Sequence, residues 1–100
     1  MKHVFLPGAN HDMDQAAGFY DRQKRSLGQA FLEDIQSTLS RIKNHPTAWK
    51  PNIASCRVCN AKRFPYQVIY RVASELIVIV AIMHTSRKPE YWSTRLTTQS

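Results

Sequence analysis

The run from Leu76 to Met83 is the most apolar stretch of the chain, and it ends in a cluster of chemically capable side chains. His84, Arg87, Lys88, Tyr91 and Trp92 follow within nine residues. Imidazole, guanidinium, phenol and indole at the mouth of a core strand fit two purposes. One is a nucleic-acid active site, where His84 could move a proton near neutral pH. The other is a rigid surface that grips another protein through Arg, Tyr and Trp. Each residue also has a plainer reading. His84 at a strand end reads as a hydrogen-bonded structural histidine. Trp92 reads as packed on the sheet, and Tyr66 and Tyr70, with Val68 between them, read as core. Trp49, in a loop, is the better candidate for a partner contact.

The elements that must position these groups follow from periodicity. Residues 2–6 form a short strand ended by the turn signal Pro7-Gly8, after which Asn10 or Asp12 could cap a helix. Met13, Ala16, Ala17 and Tyr20 make one apolar helical stripe. Residues 21–28 read as an exposed turn carrying Arg22, Lys24 and Arg25. Leu27, Phe31, Ile35, Leu39 and Ile42 mark a second helix with Glu33, Gln36 and Arg41 turned outward, stopped by Asn44-His45-Pro46. Residues 53–61 read weakly as a strand. Tyr66, Val68, Tyr70 and Val72 alternate on a stronger one, and Ala73-Ser74 leaves room for a tight hairpin. Leu76–Met83 lacks polar alternation, as a central strand covered on both faces does. Pro89 suits the first turn of a short terminal helix or a kinked tail. The expected fold is α+β: an N-terminal strand, an antiparallel helix hairpin, then a three-stranded antiparallel meander, with the first strand joining an edge.

One hundred residues predict a single domain spanning 1–100. Fourteen Lys and Arg against seven Asp and Glu leave a net charge of +7, which favours a polyanionic partner or a soluble basic surface. The acids are scarcest in the second half, with two among residues 51–100 against five in residues 1–50. No apolar run approaches the roughly 18 residues of a membrane span, and the N-terminus turns polar too early for a secretory signal. The expected compartment is the cytoplasm, with no membrane partner. Cys56 and Cys59 form a lone C-x-x-C without a second ligand pair. On a strand they point to opposite faces, so no metal and no cofactor are expected.

The segments "KRFPYQVIYRV" and "IVIVAIMHTSRKPEYW" resemble the RelE/ParE toxin superfamily of bacterial toxin–antitoxin modules, in its ParE-like, plasmid-stabilisation branch. Upstream, "AAGFYDRQKRSLGQAFLEDIQSTLSRIKNHP" is similar to that branch's helical hairpin, and "SCRVCNAKRFPY" to its basic strand segment. The resemblance implies a small basic toxin held inactive by a cognate antitoxin. ParE-like members bind and poison DNA gyrase without a known catalytic centre. RelE-like members cut messenger RNA on the ribosome.

RNA cleavage through the 2′-hydroxyl needs a base, cations at the crowded phosphate and an acid for the leaving oxygen. If the chain is RelE-like, the resemblance assigns these roles among Arg57, Arg63, His84, Arg87 and Tyr91, the last two matching the family's Arg-to-Tyr pair. The denser basic cluster of RelE-like proteins is here His84, Thr85 and Ser86, and the lysines expected near the second strand are replaced by "IASC". The ending "SRKPEYW" is ParE-like. The expected function is therefore a gyrase-inhibiting toxin, with Arg57, Arg63, Arg87, Tyr91 and Trp92 as partner contacts. The alternatives are a ribosome-dependent endoribonuclease and an inactive relative that only binds antitoxin.

Overall fold

The computed structural model describes residues 1–98. The chain order is β1 (Lys2–Phe5), α1 (Pro7–Gln23), α2 (Leu27–Asn44), β2 (Arg57–Asn60), β3 (Tyr66–Ala73), β4 (Leu76–His84) and α3 (Glu90–Thr98), with a 3₁₀ turn at Ile53–Ser55. The four strands form one sheet in the order β1-β4-β3-β2. β2, β3 and β4 make the expected antiparallel meander, while β1 lies parallel to β4 at the edge.

The first helix starts earlier than its polar residues suggest. Pro7 opens α1 rather than a turn, since its fixed φ suits the first helical turn and its missing N–H costs nothing there. Leu6 takes the N-cap position without a side-chain cap, so neither Asn10 nor Asp12 caps this helix. Asp12 is thereby free for another task. The helix also runs on through Gln23, and only the residues just beyond it form the exposed turn.

The α1–α2 hairpin covers one face of the sheet. Ala9, Ala16, Phe31, Ile35, Leu39 and Ile42 bury against Val68, Tyr70, Ile77, Ile79 and Ile82. The helices approach closely at Gly28, where a Cβ would meet the Asp21 carboxylate and stand 2.7 Å from the Ala17 carbonyl oxygen. Asp21 accepts the Gly28 N–H at 3.0 Å across the hairpin. Burial holds Tyr70 as a neutral phenol, pushed up to about 12, and its hydroxyl donates to the Pro46 carbonyl at 2.7 Å.

α3 covers the opposite face. Trp92 and Leu96 pack with Leu6, Cys56, Val58, Ile69, Val80, Ala81 and Met83. This second layer explains why β4 carries no polar alternation. A bulge assists: Ile69 faces Ala81 while Tyr70 faces Ile79, leaving Val80 as the extra residue on β4. The bulge places Val80 and Ala81 together in the α3 layer, with Ile79 and Ile82 in the other. Cys59 and Cys56 are buried in different layers as free thiols, and burial raises both above the usual thiol range.

Two carboxylates replace missing strand partners. β1 pairs with β4 only from Leu76 to Ile79, so the rest of β4 has no strand on that side. There Asp12 accepts the Ile82 N–H at 3.0 Å and pairs with both terminal nitrogens of Arg95, at 2.7 and 3.0 Å. Arg95 in turn donates to the Val80 carbonyl at 3.0 Å, fastening α3 to the same edge. Gly8 leaves the space, because a Cβ there would lie 2.9 Å from the Arg95 guanidinium. On the other side, Asp34 of α2 accepts the backbone N–H groups of Lys62, Arg63 and Phe64 in the β2–β3 turn.

Some outward and strand assignments shift. Arg41 is half-buried and donates to the Asn60 carbonyl at 2.9 Å and to Thr38 Oγ1 at 3.2 Å, tying α2 to the end of β2. The strand expected over 53–61 is only Arg57–Asn60, because Ala54 and Ser55 take left-handed conformations (φ 55 and 62) that break extended pairing.

Candidate functional site

Beyond the end of β1, the uncovered half of β4 faces α1 across a groove of about 620 Å³. Ile82, Met83 and His84 of β4 and Tyr66 of β3 line it on the sheet side, and His11, Asp14, Phe19 and Arg22 line it from α1. Arg87 and Tyr91 close it from the loop and first turn of α3. The groove exists because β1 is short and the helix lies over a strand that outruns its neighbour.

His84 sits where β4 leaves the core, and its ring packs edge-on against Tyr66 with centroids 5.4 Å apart. Its Nδ1 accepts the Ser86 backbone N–H at 3.1 Å and lies 2.8 Å from Ser86 Oγ. That leaves the proton of the neutral ring on Nε2, so neutral His84 can donate a hydrogen bond but has no free lone pair for a general base. Arg87 lies over the Tyr91 ring, 4.3 Å from its centroid, a cation–π contact between two exposed side chains. Burial, seconded by nearby Tyr20, lifts the Tyr66 phenol above its usual range, while Arg87 pulls the other way. Tyr66 therefore stays protonated at neutral pH.

His84, Arg87 and Tyr91 thus share one groove. The other named residues lie outside it. Arg57 is on edge strand β2, paired with Tyr70, whereas His84 pairs with Tyr66. The two are separated by four residues of β3, roughly 13 Å along the strand. Arg57 donates to the Thr47 and Trp49 carbonyls at 3.3 and 2.6 Å and so holds the 46–52 loop. Arg63 is exposed on the β2–β3 turn, at the same end of the sheet as His84 but not in the groove. Trp92 is 5% exposed and packs on the sheet as its plainer reading expects, so its indole anchors α3 instead of serving as a partner contact. Trp49 is half-buried against the core.

Sequence reasoning missed the α1 wall. Phe19 is 48% exposed, beside Tyr20 but off the apolar stripe, and an aromatic off a stripe was the available signal. Tyr20 by contrast is half-buried among Phe31, Phe64 and Tyr66. Arg22 stands on the last turn of α1 rather than in the expected exposed turn, and it lines the groove facing Arg87's loop. A smaller cleft of about 230 Å³ lies on the α3 side, between Cys56, Val58, Ile69 and Trp92, and Arg87 borders both. Among the described residues no group of three or more His, Cys, Asp or Glu could hold a metal ion.

The family model for the ParE toxin of the type II toxin–antitoxin system parDE matches residues 4–89. The fold is similar to that of a chain from the chromosomal ParDE TA system from P. aeruginosa, with a TM-score of 0.66 at 20% identity. That alignment covers 84% of this chain and 95% of the other. No curated protein matches the chain.

Proposed function

The chain belongs to the ParE toxin family of type II toxin–antitoxin systems, and from that premise we propose that it inhibits DNA gyrase and is neutralised by a cognate antitoxin. The family match over residues 4–89 supports this reading, since it takes in the end of β1, both helices of the hairpin and the whole β2–β4 meander. The chain acts as one toxin domain in the cytoplasm. No helix among the described residues is long and apolar enough to cross a membrane.

The groove supports a binding role more than a catalytic one. Arg87 and Tyr91 stand exposed on the loop after β4 and the first turn of α3, where they form a cation–π pair at the mouth of the groove. Arg57, which a ribonuclease would need at the phosphate, is occupied with loop carbonyls on the far edge. Partner contacts fall to Arg87 and Tyr91, with Arg63 at the same end of the sheet. The antitoxin would bring acidic residues to a chain of net charge +7. The grouping of His84, Arg87 and Tyr91 in one groove is what favours the second reading, a messenger endoribonuclease.

Induction of the chain alone in bacterial cells separates these. The expected outcome is growth arrest with gyrase-trapped DNA breaks and intact messages in the first minutes. Cut messages with normal supercoiling would establish the ribonuclease instead, and unimpeded growth would identify an inactive relative.

A further inference from the structure

The positive charge of this protein is not spread evenly over its surface. The last turn of α1 carries Arg22, the α1–α2 link Lys24 and Arg25, the β2–β3 turn Lys62 and Arg63, and the β4–α3 loop Arg87 and Lys88, all exposed. Three contacts bring these connections to one end of the molecule. Tyr20 meets Phe64 with ring centroids 4.8 Å apart, Tyr66 pairs with His84, and Arg22 and Arg87 line the same groove. Half of the chain's Lys and Arg thus gather there, against Asp14, Asp21, the buried Asp34 and Glu90. Asp12, on the groove wall, is already neutralised by Arg95.

The same end holds flat apolar faces open to solvent. Phe19 on α1 is 48% exposed and Tyr91 on α3 is 53% exposed, and both line the groove, with Tyr66 between them on the sheet. An Arg already lies over one of these rings. Cations tracking a backbone, with aromatic faces set among them, are the physical requirements for holding a single nucleic-acid strand: phosphates pair with the cations and bases stack on the rings. An acidic peptide would satisfy the charges, and the two exposed rings on separate walls add the flat faces on which successive bases stack.

We propose that the groove between α1 and the free half of β4 binds single-stranded nucleic acid, with Phe19 and Tyr91 stacking bases and Arg22 and Arg87 pairing phosphates. This does not depend on gyrase being the target, because a free strand is enough to fill the site. It adds a direct nucleic-acid contact that a purely protein-directed toxin would lack.

Fluorescence anisotropy of the purified full chain with labelled oligo(dT), oligo(rU) and a duplex of equal length tests it. Single strands should bind better than duplex, with an affinity that falls steeply with salt. Tyr91→Ala and Phe19→Ala should each weaken binding roughly tenfold, as loss of one stacked base does. Arg87→Ala should flatten the log–log salt dependence by about 0.7. Both rings are exposed, so unchanged thermal melting certifies that the variants fold, and Lys43→Ala at the other end of α2 should change little. A preference between oligo(dT) and oligo(rU) would tell which nucleic acid is the natural strand. Absence of binding at low salt overturns the proposal. Binding indifferent to both ring substitutions, or equal for duplex, overturns it as mere polycation attraction. Capture of a polyglutamate peptide without oligonucleotide binding would assign the groove to a protein partner.

Discussion

Replacing Asp34 with alanine should lower the unfolding free energy by about 3–4 kcal/mol, the largest loss expected of any single polar substitution here. Asp34 is 4% exposed, and its carboxylate is the acceptor for three successive backbone N–H groups, at 3.3, 2.9 and 2.9 Å. A buried donor left without a partner costs about 1–3 kcal/mol, and bonds to an ionised acceptor are the stronger kind. Part of the loss would be recovered by water, because Lys62 and Arg63 are exposed. The damage would not stay in the turn. The third N–H belongs to Phe64, whose ring packs on Tyr20 and Phe31 at centroid distances of 4.8 and 5.5 Å. For a domain of this size the change corresponds to a fall in melting temperature of about 12–25 °C. Asp34→Asn, which keeps an acceptor oxygen, should lose about half as much. A shift of only a degree or two for the alanine variant would mean that the turn holds its shape without α2.

Replacing Asp12 with alanine should cost about 2–4 kcal/mol and loosen α3 first. The carboxylate serves two partners at once: it ends the β4 edge by accepting the Ile82 N–H, and it holds Arg95 through two short contacts. With side-chain exposures of 21% and 9% for Arg95 and Asp12, the pair is shielded enough to exceed an ordinary surface ion pair. In a Trp49→Phe background the remaining tryptophan is Trp92, buried at 5% under α3. Acrylamide quenching of its fluorescence should rise in Asp12→Ala before global unfolding begins. A double-mutant cycle with Arg95→Met should give a coupling of about 1–3 kcal/mol. Quenching unchanged from the parent would show that the indole alone secures α3.

Much of this architecture is readable from residue periodicity. The apolar stripe from Phe31 to Ile42 marks α2, alternation from Tyr66 to Val72 marks β3, and unbroken hydrophobicity marks β4 as covered on both faces. What escapes such reading depends on long-range geometry. The parallel union of β1 with β4 joins residues more than seventy positions apart, and no local pattern specifies it. The Val80 bulge leaves no trace in a strand that is apolar at every position from Leu76 to Met83. Asp34 was legible in principle, because it stands three residues after Phe31 and four before Thr38, on the buried side of α2. Asp12 was not, since Pro7 looked like a turn and the acid like a cap.

The candidate site divides along the same line. His84, Arg87 and Tyr91 are close in sequence, so their grouping followed from the strand end that carries them. Arg57 and Arg63 were joined to them only by family likeness, and the sheet sets Arg57 on the opposite edge. Phe19 and Arg22 precede Arg87 by 68 and 65 residues and enter the site only because α1 lies along the uncovered half of β4.

Gyrase is the proposed target of this ParE-family chain. Purified chain, purified gyrase and relaxed plasmid in the presence of ATP test this without the rest of the cell. Supercoiling should stop, and cleaved DNA with covalently attached gyrase should accumulate. The Arg87→Ala, Tyr91→Ala double variant, folded to the same melting temperature, should lose most of that effect. Undiminished supercoiling at a large excess of folded chain would contradict the account and direct attention to another target.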